Sequence, residues 1–493
     1  MQEELLPDSD DLDLDSNILF SKDYSYFNNL ALSASYTFSY EEYFTNKKRL
    51  HNQPLSEPLK TILHETTHLY QVLATPYGIY YQTLKLLQID LIRNLIRTLL
   101  YKYGIQPKPP LIESCRRFIK ANGYNEIKYL IHGWFIAELM ILYLEGDVVS
   151  YGNLLLKNPL LGALPMADYF ERLEYFITIF LNSNGKPCPT FEYSMKESAT
   201  SILSELQYFG LKSTGFPDTV GVLESWGKVA EFWGEKHLSI DDCPQLFPPV
   251  IESELADYYG LLFWAKDAID AETVGEFILS YMTLCEIALS PPVLPYYRSL
   301  RPEGISLREI NPTQRMLDLF SAAKGVTPIR KLENDYVRFT ETVCSKLKWS
   351  TPTEIARATL STLDCPSGDK LFEFYKRAQA FRVDVPHIFI DLDVWFDLER
   401  PYMNEFYYYF SHPVIEFSDS TGHHPDASVS IFFTEQALIN SCVRKLFLTK
   451  DQTITFPYRA PQIELDYFTD LLKSDLKSLL GFSPDELSLV SPS

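Results

Sequence analysis

Between about Ser56 and Leu289, apolar residues recur at i, i+3, i+4 and i+7 through long runs. The clearest are "YYQTLKLLQIDLIRNLIRTLLYKYG", "NEIKYLIHGWFIAELMILYLEG", "YFERLEYFITIFLN" and "ELADYYGLLFWAKDAI", and the breaks between runs carry Pro, Gly, Asn and Asp. That period is the signature of amphipathic helices, and those residues are their usual stops. The stretch "ALSPPVLPYYRSLRPEGISLREINPTQ" is rich in proline and marks a boundary near residue 300. Beyond it the pattern mixes helices ("KLFEFYKRAQAF", "LDYFTDLLKSDLKSLL") with short extended candidates ("HIFIDLDVWF", "PVIEFSD", "SVSIFF"). The expected fold class is mainly α (α+β): a helical domain over residues 19–300, then a mixed α/β region over 301–493. No repeat of 20 to 50 residues and no heptad run is visible.

Composition sharpens this picture. A chain of 493 residues that is 46% apolar and 14% aromatic can bury a large core and is long enough for more than one domain. Its formal charge of −21 argues against binding nucleic acid or an anionic membrane, since both need a basic surface. Part of that charge lies in "EELLPDSDDLDLDS", so residues 1–18 are expected to form a solvated, disordered tail. The best apolar stretch, "WFIAELMILYL", has 11 residues and contains Glu138, which suits a core helix and not a membrane span. The seven cysteines are scattered without a CxxC pair, and the N-terminus shows no basic-then-apolar leader. Reduced thiols and a cytoplasmic location are the expectation.

Candidate chemistry is concentrated in "TILHETTHLYQ", Thr61 to Gln71. Ser56 and Pro58 start a helix there. At about 100° per residue, Leu59, Ile62, Leu63, Thr66, Leu69, Tyr70 and Leu73 share one stripe, and His64 and His68 lie opposite it. The imidazoles are therefore expected to face a cleft or solvent. Side chains at i and i+4 stand one above the other, so both can ligate a single ion, with a carboxylate at the next position free to handle a proton. "HETTH" resembles the HExxH signature of the zincin metallopeptidases. The resemblance implies a zinc ion held by His64 and His68, with Glu65 as general base.

A catalytic zinc needs a third protein ligand. A third histidine six residues after His68 is excluded, because Ala74 stands there. A gluzincin-like glutamate from a separate downstream helix is left. The favoured candidate is Glu197 in "MKESATSILSELQYFG", where Glu197, Ser201, Ser204 and Tyr208 form a face without lysine or arginine. Ser201 would orient a ligand there, and Tyr208 or Tyr193 would steady an oxyanion. The alternatives are Glu254 in "ESELADYYG", where Asp257 follows at three residues instead of the thermolysin-like four, and Glu138 or Glu145.

Other polar groups read as structural. His132 sits in an apolar helix, His423 and His424 in a polar loop, and Asp391, Asp393, Asp397 and Glu399 beside candidate strands without calcium-loop spacing. No phosphate-binding glycine loop or nucleophilic serine elbow is present. The sequence thus points to an intracellular zinc metallopeptidase acting on a protein or peptide substrate. Residues 301–493 would recognise that substrate or answer a regulatory protein partner. The competing expectation is a non-enzymatic helical interaction scaffold in which HETTH is incidental or a structural metal site.

Overall fold

Extended Ser56 at the N-cap and a proline in the first turn open the helix that carries the HETTH residues, Glu57–Leu73. It ends at Ala74, and a corner leads straight into Pro76–Arg97. Thr75 caps that second helix through Gly78 N. Gly78 is needed at the corner, since a Cβ there would lie 2.2 Å from the Gln71 carbonyl oxygen. The computed structural model describes residues 26–28, 30–47, 55–122, 126–145, 219–249, 256–294, 298–299, 307–362, 369–395, 403–482 and 486–492.

In chain order the described strands are β1 (Tyr26–Asn28), β2 (Ser33–Ser35), β3 (Val293–Leu294), β4 (Arg298–Ser299), β5 (Val414–Glu416), β6 (Thr421–His423), β7 (Thr453–Thr455) and β8 (Ser488–Val490). The helices before residue 300 are α1 (Tyr40–Lys47), α2 (Glu57–Leu73), α3 (Pro76–Arg97), α4 (Leu111–Asn122), α5 (Glu126–Glu145), α6 (Thr219–Ala230), α7 (Ala256–Lys266) and α8 (Val274–Ala288). After it come the single turn Leu307–Ile310, α9 (Pro312–Ala323), α10 (Leu332–Leu347), α11 (Pro352–Thr362), α12 (Lys370–Asp384), α13 (Met403–Phe410), α14 (Ala427–Leu448) and α15 (Gln462–Leu480). The fold is mainly α with a few short strands, as the periodicity predicts.

One apolar core runs from Leu32 to Leu489 and includes residues from both sides of position 300. The largest sheet has the order β1-β2-β5-β6. Its middle pair is parallel, with Ala34 opposite Ile415, and the outer pairs are antiparallel. α2 touches this sheet at β1 and packs against α3, α6 and α12. Its predicted stripe is buried at Leu59, Leu63, Leu69, Tyr70 and Leu73, and its opposite side is buried too, because α6 covers it. Among the described residues no helix is long and apolar enough to cross a membrane.

Two expected strands are not strands. "SVSIFF" opens α14, whose N-cap Asp426 accepts from Ser428 N; the run is the first turn and a half of a long apolar helix, so its β-branched residues mislead. "HIFIDLDVW" forms turns and a 3-10 segment, Leu392–Trp395, and the Phe396 that follows lies outside the described residues. Within it, Asp393 accepts from Trp233 Nε1 (2.7 Å) and pairs with Lys236 (2.9 Å), and Asp391 is buried and accepts from Val394 N. Asp397 and Glu399 lie outside the described residues. "PVIEFSD" does supply a strand, β5.

Candidate metal centre

His64 and His68 sit one turn apart on α2, with ring centroids 5.0 Å apart. They do not face solvent: His64 is 7% exposed and His68 9%. The face opposite the apolar stripe is covered because α6 brings its own polar side chains to it. Glu224 of α6 reaches both rings, with Oε2 3.0 Å from His64 Nε2 and Oε1 3.6 Å from His68 Nε2. The ligating atoms of His64, His68 and Glu224 all lie within 4.8 Å of one another, and the three residues form a group able to hold a metal ion.

Gly227 makes this approach possible, since a Cβ at that position would lie 2.9 Å from the His64 ring. Glu224, Gly227 and Glu231 are spaced i, i+3 and i+7, so they share one face of the α6 turn sequence. Glu231 stands just beyond the end of α6, and its Oε1 is 2.9 Å from His64 Nδ1 while Lys228 Nζ holds its Oε2 at 2.7 Å. On the other ring, His68 Nδ1 is 2.8 Å from Gln71 Oε1. Phe27 of β1 stacks over His68 with centroids 6.0 Å apart, and the Tyr258 ring is 5.7 Å from His64.

The electrostatics follow from two acids and two imidazoles brought together away from water. Burial works to lower the His64 pKa, but hydrogen bonds to Glu224 and Glu231 outweigh it, and the group rises to about 10. His68 is also raised: burial opposes the charge, and Glu224 more than compensates. Burial pushes Glu224 upward, yet the two imidazoles hold it well below the usual carboxylate range. Glu65 behaves differently. The residue is 6% exposed, and burial raises its pKa against the opposing pull of His64 and His68. A buried carboxyl with a raised pKa beside two imidazoles holds its proton more readily than an exposed one.

Beyond α2, the sheet side contributes Tyr36 and His412. Tyr36 is driven well above its ordinary pKa, mainly by burial and then by Tyr43 and Glu65. Burial and His68 together push His412 down to about 3, and its Nε2 is 3.5 Å from Thr66 Oγ1. His412 is thus a neutral imidazole near the site that the sequence reading passed over.

Of the expected site residues, the structure brings His64, Glu65 and His68 together. Glu197, Ser201, Tyr208, Tyr193 and Glu254 lie outside the described residues, as do residues 1–18. Glu138 is engaged elsewhere: Arg444 Nη2 and Gln88 Nε2 each donate to it at 2.7 Å, and it is 1% exposed. Of Glu145 and His132, only their place in α5 is described. His424 is a buried joint, with Nε2 2.7 Å from the Tyr408 carbonyl and Nδ1 accepting from Asp426 N. His423 ends β6. No protein-family model, curated protein or solved structure matches this chain.

Proposed function

We propose that the chain is a zinc-dependent peptidase whose metal ligands are His64, His68 and Glu224 and whose general base is Glu65. The observation that supports this reading most is the meeting of the two imidazole Nε2 atoms with one carboxylate from a separate helix. Two nitrogens and one oxygen are a donor set that suits zinc. Three protein donors are also the number used in catalytic sites, which keep a fourth position open, whereas structural sites close with four. Glu231 does not supply the fourth, because it is spent on His64 Nδ1.

When bound, a zinc ion supplies Lewis acidity and lowers the pKa of a water toward ~7. The protein's own contribution is to position and to move protons. Glu224, His64 and His68 set the donor spacing. Glu65, next to His64 on the helix, takes a proton from the attacking water and passes it to the leaving nitrogen. The rings of Phe27 and Tyr258 keep the imidazoles away from bulk water. A peptide or protein substrate is proposed on the strength of the HETTH resemblance. A reducing compartment fits the free, buried Cys115, Cys243, Cys285, Cys344 and Cys442.

The test separates metal from catalysis. Protein purified without chelators should carry one zinc per chain, and His64→Ala and Glu224→Ala should each lose it. Glu65→Gln should keep its zinc and lose at least about a hundredfold in turnover of a peptide library, the scale expected for a general base. Metal-free protein that takes up no added zinc at neutral pH would overturn the reading. Stoichiometric zinc with no peptide turnover by the wild type would favour the scaffold with a structural metal.

A further inference from the structure

A neutral imidazole carries its proton on one ring nitrogen, and only the bare nitrogen can ligate. Two histidines that are to ligate one ion through Nε2 must therefore both keep their remaining proton on Nδ1. His68 is held by Gln71. The Gln71 Nε2 group donates to the Leu223 carbonyl at 2.9 Å, and a carbonyl can only accept. The amide's oxygen end is thereby turned to His68 Nδ1, at 2.8 Å, so Nδ1 keeps a proton and Nε2, which faces Glu224, is the nitrogen left to shed its own proton and ligate. His64 is held by Glu231, whose ionised carboxylate can only accept from Nδ1 at 2.9 Å. Glu231 is itself pinned, because its second oxygen accepts from Lys228 Nζ at 2.7 Å.

Both arrangements are anchored on α6 and the residue just after it: Leu223 fixes Gln71 for one ring, and Lys228 fixes Glu231 for the other. The same helix supplies Glu224. We propose that Gln71 and Glu231 are positioning residues that fix the His68 and His64 tautomers so that both Nε2 atoms face Glu224. This rests on the metal-centre reading and deepens it, since it makes α6 the template that sets both the third donor and the orientation of the other two. Partners of this kind change metal affinity by about 10- to 100-fold.

The arrangement gives an unusual test, because an isosteric change should do damage and a second change should undo it. In Glu231→Gln, Lys228 still donates, so it draws the amide oxygen and leaves the amide NH2 facing His64 Nδ1. That favours the wrong tautomer. Zinc affinity, measured by competition with a chelating dye on the full chain, should fall about 10- to 100-fold. Adding Lys228→Met frees the amide to turn its oxygen to Nδ1, and most of the affinity should return. Gln71→Leu should produce a comparable loss through His68. The Co2+-loaded protein should show altered visible bands in both single variants, and the double variant should regain the wild-type bands. A structural role alone predicts that the double variant is worse than the single. Equal zinc affinity in wild type, Glu231→Gln and Gln71→Leu would overturn the proposal while leaving the metal centre standing. Failure of the wild type itself to bind zinc would remove both, so the two failures are distinguishable.

Discussion

At the scale of single residues, the site depends as much on a missing side chain as on those present. Gly227 lets the His64 ring lie against α6, and a Cβ at 2.9 Å would be inside ordinary contact distance of that ring. In Gly227→Ala the ring has to move by a few tenths of an ångström. Overpacking of this kind costs about 1–3 kcal/mol, and Ala returns about 1 kcal/mol of helix propensity over Gly. The expected outcome is a net stability change of no more than about 2 kcal/mol, but clearly weaker zinc binding, because the displaced ring no longer points its Nε2 at Glu224. Urea midpoints and dye competition measure the two separately. Unchanged zinc affinity would show that the His64 ring is not seated against the α6 backbone as described.

The elements show which parts of this molecule its sequence makes legible. Helix α2, its start at Ser56 and Pro58, and the pairing of His64 with His68 are readable, since each follows from local spacing. The third donor is not local. Sequence logic prefers an acidic face without lysine, and on α6 Glu224 is followed by Lys228 at i+4, so that criterion passes it over. The structure supplies the missing reason: Lys228 is held by Glu231 and by the rings of Phe232 and Tyr259, so it does not mark a solvated face. The available signal was Glu224, Gly227 and Glu231 at i, i+3 and i+7. Burial of the HETTH face was illegible for the same reason, because only the position of α6 decides it. Helix pairing also governs a pH effect. Glu435 of α14 faces Asp475 of α15, and burial, followed by that neighbouring carboxyl, raises Glu435 from an ordinary 4.5 to about 7. A carboxyl with a raised folded-state pKa stabilises below its unfolded value and loses that contribution as pH rises through the folded one. Stability should therefore fall between about pH 4.5 and 7, by roughly 1–2 kcal/mol once screening of a half-exposed group is allowed for. Glu435→Gln should flatten that slope in urea titrations at stepped pH, and an unchanged slope would assign it to other groups.

For the whole molecule, the question is whether residues 19–300 can stand without residues 301–493. The contacts across position 300 are of a kind that is costly to break. The carbonyl of Ala74, at the end of α2, accepts from Gln379 Nε2 at 2.9 Å and Arg382 Nη1 at 2.7 Å, both on α12. Arg382 also pairs with Glu286 of α8 at 3.0 Å, Tyr336 of α10 donates to the same carboxylate at 2.8 Å, and neither Arg382 nor Glu286 is exposed. Removing one partner of a buried ion pair costs about 3–5 kcal/mol, against a typical total of about 5–15 for a domain. The sheet adds to this, because β2 takes its parallel partner β5 from the far side, and Ser35 Oγ donates to Glu416 Oε2 at 2.8 Å. A fragment of residues 1–300 loses all of these at once, leaves Glu286 unpaired in an apolar setting and opens the core that runs to Leu489. It should show no cooperative thermal transition and bind no zinc, although His64, His68 and Glu224 are all present. Adding residues 301–493 as a separate chain should recover zinc binding if the two halves can still dock. Circular dichroism melts and zinc titration of the fragment decide it. A cooperative melt with stoichiometric zinc in residues 1–300 alone would show that the proline-rich stretch near residue 300 divides the molecule into independent parts, and that the buried contacts of Arg382 fasten together two units already folded.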